Sequence, residues 1–174
     1  MRPVRYNVAA SLDGYIAGPD GTYDWIPDDP AVDFAALFAK VDTVLLGRHS
    51  YLLAQQAPVP WEPGTRVYVF SRTLRPEDHP TVHIVAEEAG AVVAALRAEP
   101  GEGEIWLFGG GVLFGSLLKA GQVDTIEVTV VPVLLSEGIP LLPPGAPRTT
   151  LALTDTRTYP SGMITLSYTV QNPR

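Results

Sequence analysis

Four short segments carry residue types that could hold a ligand, and each directly follows an apolar run of strand length. Gly109-Gly110-Gly111 lies between the run Glu104–Phe108 and a helical pattern. Glycines let the backbone approach a ligand closely, and a helix N-terminus offers unpaired N–H groups and the positive end of a dipole. The spacing is neither GxGxxG nor a P-loop, and a tight strand-to-helix turn would account for it without any ligand. Gly47-Arg48-His49-Ser50-Tyr51 follows Thr43–Leu46, which sets an arginine just past a strand end, where open α/β sheets bind ligands. Ser71-Arg72-Thr73 follows Arg66–Phe70 in the same way. A guanidinium is a planar fork matched to phosphate oxygens, so arginine with hydroxyls suits an NADP-type 2′-phosphate. Ser11-Leu12-Asp13-Gly14-Tyr15-Ile16-Ala17 follows the first strand, and its Asp-Gly pair marks a turn with an apolar return over the same edge. A solvated arginine or a plain connecting turn would explain any one segment. Three strand ends in one region, each carrying arginine, hydroxyls or glycines, are harder to dismiss.

The elements that must position these groups can be read from the apolar pattern. Strands are expected at Arg5–Ala10, Thr43–Leu46, Arg66–Phe70, Val82–Val85 and Glu104–Phe108, several apolar throughout, as strands buried on both faces are. Asp29-Pro30 reads as an N-cap followed by proline at the first helical position, opening a helix with Val32, Phe34, Ala35, Leu37 and Phe38 on its apolar positions. Further helices are expected over Ser50–Gln56, Glu87–Ala98 and Val112–Ala120, the last closed by Gly121. Val123–Val133, Leu151–Tyr159 and Met163–Val170 read as strands with no helix between them. The expected fold is therefore α/β, a mostly parallel central sheet with antiparallel C-terminal strands. A flavodoxin-like sheet would need helices in that last third.

The 174 residues suit one domain, and 46% hydrophobic with 18% charged residues argues for a packed core. Seventeen prolines and sixteen glycines mark many short elements joined by defined turns. No apolar run reaches the length of a membrane span, and the N-terminus carries no secretory pattern, so a cytoplasmic location is expected. The absence of cysteine removes disulfides, thiolate metal sites and a cysteine nucleophile. His79 and His83 have no partners at metal-ligand spacing, so no metal is expected. A net charge of −7 disfavours nucleic acid and acidic membranes, but local arginines can still hold a phosphorylated small molecule.

Taken together, Val8–Ala17, Val44–Tyr51, Val69–Thr73, Leu107–Leu118 and Val123–Leu142 resemble the dihydrofolate reductase superfamily, in particular the branch that includes the reductase domain of riboflavin biosynthesis. The resemblance implies a three-layer sandwich on an eight-stranded sheet, NADPH as hydride donor and a homodimer. It also implies an activity such as that of a 5-amino-6-(5-phosphoribosylamino)uracil reductase or a dihydrofolate-type reductase. It places Gly47, Arg48 and His49 at the cofactor phosphates with Ser50 capping the helix, and Ser71 and Arg72 near the 2′-phosphate. Gly109, Gly110, Gly111 and Val112 would face the pyrophosphate, and backbone groups of Ala9 and Ile16 the nicotinamide carboxamide. The loop from Ser11 to Gly18 would close over the ring.

Dihydrofolate reductases carry an acid early in the helix after a tryptophan and proline, and Trp25–Phe34 has a similar flavour with different spacing. Asp29 and Asp33 both stand there. Asp29 is accounted for as an N-cap, leaving Asp33 as the candidate for the pocket, with Asp13 a second candidate for substrate contact. A dipole-stabilising acid on a solvated first turn would explain Asp33 equally. The expected reaction is hydride transfer to a small heterocycle. The competing reading is a module of the same fold that binds a nucleotide or senses a ligand without turnover. Trp61, in the proline-rich stretch Pro58–Pro63, could edge the pocket, and simple packing would explain it equally.

Overall fold

The structure is a computed structural model that describes residues 1–56, 61 and 63–171, and the remainder of the Pro58–Pro63 stretch lies outside the described residues. Strands β1 (Val4–Ser11), β2 (Tyr15–Ala17), β3 (Val41–Gly47), β4 (Arg66–Phe70), β5 (His83–Val85), β6 (Glu104–Gly109), β7 (Thr125–Val131), β8 (Ile139–Pro140), β9 (Thr150–Thr158) and β10 (Ile164–Gln171) alternate with four helices. These are α1 (Phe34–Phe38), α2 (Arg48–Gln56), α3 (Ala89–Ala98) and α4 (Gly111–Lys119). Eight strands form one sheet in the order β5-β4-β3-β6-β1-β7-β10-β9. The pairs from β5 through β7 are parallel, and β10 runs antiparallel to both β7 and β9. This is the expected mixed sheet. The short β2 and β8 pair separately, which the sequence pattern does not announce.

Helices cover both faces because the inner strands are apolar on both. On one face, Val93 and Leu96 of α3 and Leu113, Phe114 and Leu117 of α4 pack on Val4, Tyr6, Leu45, Ile105 and Leu107. On the other, Tyr51 of α2 joins Val44, Leu46, Val67, Val69 and Trp106, with Leu37 and Phe38 of α1 against them. The α4 helix ends as expected: Gly121 takes φ +66°, its N–H reaches the Leu118 carbonyl and the Gln122 N–H the Leu117 carbonyl, a Schellman closure.

The first helix departs from expectation. It does not begin at Pro30 but covers only Phe34–Phe38, with Asp33 as its N-cap accepting from the Ala36 N–H at 2.8 Å. Asp29 caps no helix. Its carboxylate takes the Ala31 N–H and reaches across to the Ser161 N–H in the β9–β10 turn, and that long-range bond replaces the local one. The third helix opens at Ala89 rather than Glu87, because Glu88 caps it by accepting from the Gly90 and Ala91 amides.

At the N-terminal ends of the strands a buried polar buckle holds the sheet. Arg2, 3% exposed, bonds Asp42, Thr43 and the carbonyls of Leu96 and Gly103. Asp124 accepts from the Val4 N–H and from Arg97, each at 2.7 Å. Asp124 therefore serves the fold, at the end of the sheet opposite the C-terminal strand ends.

Candidate functional site

A cleft of about 1620 Å³ opens at the C-terminal edge and continues over one sheet face, large enough for more than one small ligand, whose pockets run to about 1,000 Å³. One half is walled by strand ends. There β3 and β6 finish side by side and deliver Gly47 and Gly110 into near contact: a Cβ on Gly110 would stand 3.6 Å from the Gly47 Cα. Gly110 sits at φ +103°, a conformation glycine adopts freely, and caps α4 with no side chain. The first described helical bond of α4 runs from Phe114 to Gly110, so the Gly111, Val112 and Leu113 amides precede the ladder and remain to serve an anion. Gly111 is fixed for another reason, since a Cβ there would lie 2.7 Å from the Pro140 carbonyl oxygen of β8.

Arg48, His49, Ser71 and Arg72 line this same half. Arg48 and Arg72 are exposed, and among the described residues neither makes a side-chain hydrogen bond or ion pair, which leaves both guanidinium forks for a ligand. Ser71 is buried at 9% exposure, and its hydroxyl accepts from the Thr73 and Leu74 amides, shaping the turn that presents Arg72. Ser50 does not cap α2. That helix starts at Arg48, and Ser50 lies within its first turn, its hydroxyl close to where a Gly109 Cβ would be, at 3.1 Å.

The sheet itself parts beside Ala9. Pairing of β1 with β6 ends at Tyr6–Leu107, while pairing with β7 continues to Ser11–Val131. The β6-facing edge of β1 beyond Tyr6 thus borders the cleft, with Val8, Ala9, Ile16 and Ala17 in its lining. An open strand edge offers alternating N–H and C=O groups, the complement of a carboxamide.

The other half lies on the sheet face over β1, β7, β10 and β9, bounded by the segment leading into α1. Alternation along these strands sends Ile126 and Val128 to the core and Glu127 and Thr129 to the cleft. Glu127 stands opposite Asn7 in register and accepts from its Nδ2 at 2.6 Å. Arg5 lies between two carboxylates, with Glu104 at 2.9 Å and Glu127 at 3.5 Å, and its Nη2 donates to the Leu37 carbonyl of α1. A register shift in the β9–β10 pairing turns Leu153 to the apolar face beside Tyr168, yet Asp155 and Arg157 to the cleft. The Asn7–Glu127 pair was not picked out from sequence. The available signal was a glutamate inside an otherwise β-forming run, at the parity of Thr129 rather than of Ile126 and Val128.

The two acids singled out from sequence prove to be engaged. Asp33 lines the cleft at an exposed position, its carboxylate already capping α1. Asp13 does not line the cleft. Its carboxylate accepts from the Ser11 hydroxyl at 2.6 Å and from the Leu135 and Ser136 amides, tying the β1–β2 turn to the chain after β7. The Ser11 hydroxyl and then those amides hold its carboxyl below the ordinary aspartate range. Hydrogen bonding from Ser161 and Ala31 does the same for Asp29. His79 meets the Tyr51 hydroxyl at 3.0 Å, and His83 stacks on Tyr68, so both serve packing. Among the described residues no group of three or more His, Asp or Glu is arranged to hold a metal ion, and no helix is long and apolar enough to cross a membrane.

Known proteins resemble this chain in sequence or in fold. The Bacillus subtilis protein YyaP, itself uncharacterized, is 34% identical over 97% of this chain and 95% of its own. A Shewanella sp. PV-4 structure provisionally assigned to riboflavin biosynthesis superposes with a TM-score of 0.83 at 27% identity, covering 99% of this chain and all of that one. Dihydrofolate reductase from Enterococcus faecalis, complexed with NADP(H), shares the fold at a TM-score of 0.66 and 19% identity, over 98% and 97% of the two chains. The model of the RibD C-terminal domain matches residues 2–165, and with the parallel sheet, the glycine-walled edge and the divided cleft in place, the chain belongs to the RibD C-terminal domain family.

Proposed function

We propose that this protein is an NADPH-dependent reductase that passes a hydride to a pterin-like or pyrimidine-like heterocycle. The observation that carries the reading is the convergence of two uncommitted arginines and the uncapped N-terminus of α4 along one wall of a cleft with room for a second ligand. The residues fit the cofactor. Arg48 and His49 would meet its phosphates, Ser71 and Arg72 the 2′-phosphate, and Gly109 to Val112 the pyrophosphate. The open edge of β1 at Ala9, with Ile16 in the same lining, would take the carboxamide. Bound there, the nicotinamide would supply the hydride. The chain would orient the two ligands, and the β2 segment, paired with β8, would cover the place where they meet. A side chain or a water can supply the proton such a reduction needs.

Titration with NADPH and NADH, followed by cofactor fluorescence, tests the reading with Arg48→Ala and Arg72→Ala alongside. NADPH is expected to bind more tightly than NADH, and each variant to lose about 1 kcal/mol or more, the scale of a hydrogen bond to a charged group. Negligible binding of both nucleotides would refute it, and binding without NADPH consumption across heterocyclic acceptors would leave a sensing module. The reading includes a homodimer through the outer edge, where Leu151, Leu153 and Ile164 are 37%, 57% and 39% exposed. Light scattering is expected to give a dimer for the wild type and a monomer for Leu153→Lys. A wild-type monomer would remove the dimer.

A further inference from the structure

The two halves of the cleft differ in charge, and the difference bears on the substrate. Over the sheet face, Glu127 carries two partners on one oxygen, Oε2, from Asn7 and Arg5, while no described bond reaches Oε1. Arg5 is shared with Glu104, so its charge is divided between two carboxylates on this sheet face. Asp24, Asp28, Asp29, Asp33 and Asp155 line the same half with Arg157, and of these Asp29 and Asp33 already accept from backbone amides. A half-buried carboxylate anchored through one oxygen offers the other to N–H donors. The acid-rich surround lowers the energy of a cationic or neutral donor and raises that of a phosphate ester. In the strand-end half Glu87 and Glu88 also line the cleft, but both accept from backbone amides, of Ala86 and of Gly90 and Ala91, while Arg48 and Arg72 make no described side-chain bond.

We propose that Glu127, held in place by Asn7, is the substrate-binding carboxylate. It accepts from the paired N–H donors of an unphosphorylated heterocycle, an amidine-like or amino-lactam edge, in contrast to a phosphoribosyl-bearing pyrimidine. This inference rests on the assignment of the strand-end half to the cofactor. Asn7 is a positioning residue, and its amide fixes the rotamer that points Oε1 into the cleft.

Calorimetric titration of the full chain, with and without NADPH, tests the proposal using 2,4-diaminopyrimidine as the donor-rich probe and uridine 5′-monophosphate as the phosphorylated one. The wild type should bind the diaminopyrimidine and bind the nucleotide more weakly. Glu127→Gln, which keeps shape and removes charge, should weaken the diaminopyrimidine by about tenfold or more, the scale of one charged hydrogen bond. NADPH affinity should be unaltered in the same variant, which also shows that it has folded. No diaminopyrimidine binding to the wild type, equal binding to Glu127→Gln, or tighter binding of uridine monophosphate at this half would each overturn the proposal. Glu127-dependent diaminopyrimidine binding in a protein that ignores NADPH would instead overturn the cofactor assignment and leave the carboxylate in place.

Discussion

Between Gly47 and Val112 the cleft is walled mainly by main chain, glycines at strand ends and the uncapped start of α4, with arginines projecting past it. Across β1 and β7 it is floored by side chains, with Asn7, Arg5 and Glu127 interlocked on a sheet face. The first arrangement suits a ligand recognised by its phosphates, because amides and guanidinium groups at helix N-termini serve any phosphate chain. The second suits a ligand recognised by its hydrogen-bonding edge, where one misplaced donor leaves a half-buried group unpaired. Substitutions should therefore separate the halves.

The largest effect is expected at Gly111. Gly111→Ala puts a methyl 2.7 Å from a backbone oxygen of β8, and backbone cannot move aside cheaply. A loss of about 1–3 kcal/mol in stability, the range for overpacking, should appear in denaturant melts together with weaker NADPH binding. Unchanged melts would mean that β8 is not fixed against α4. Arg72→Ala comes next and sharpens the comparison, since it should cost NADPH about 1.5 kcal/mol and NADH much less, with the melt within about 0.5 kcal/mol of wild type. Asn7→Ala should weaken diaminopyrimidine by about fivefold, the size of one ordinary hydrogen bond, without changing NADPH affinity. Equal loss of both ligands would break the division.

The smallest effect belongs to Asp13, which stands outside the cleft. Its carboxyl titrates below the ordinary aspartate value in the folded state, so its stabilisation is present above about 3.9, the unfolded value, and is lost as pH falls through the lower folded value. Asp13→Asn should flatten the acid limb of a melting-temperature series below that pH and leave ligand affinities unchanged. An effect on substrate binding would return Asp13 to the site.

These halves also differed in how far they could be read from sequence. Each strand-end group is contiguous with the strand that delivers it, so Gly109-Gly110-Gly111, Arg48 and Arg72 were visible as local patterns, as was the helix-poor C-terminal third that gives the antiparallel edge. Asn7 and Glu127 are 120 positions apart, and only the β1–β7 register makes them a pair. The same kind of distance misdirected the reading of α1. Asp29-Pro30 has a local N-cap signal, but the carboxylate bonds Ser161, 132 positions away, and the helix waits for Asp33. Asp13 was conspicuous because Asp-Gly marks a turn, and holding that turn is its role. Local chemistry shows in the sequence where backbone builds a site, and is hidden where the sheet assembles it.

A crossed titration tests the central claim most directly: NADPH and 2,4-diaminopyrimidine each measured against wild type, Arg72→Ala and Glu127→Gln. The account predicts that Arg72→Ala weakens NADPH alone and Glu127→Gln weakens the diaminopyrimidine alone. If either substitution weakens both ligands alike, the cleft is not divided as described.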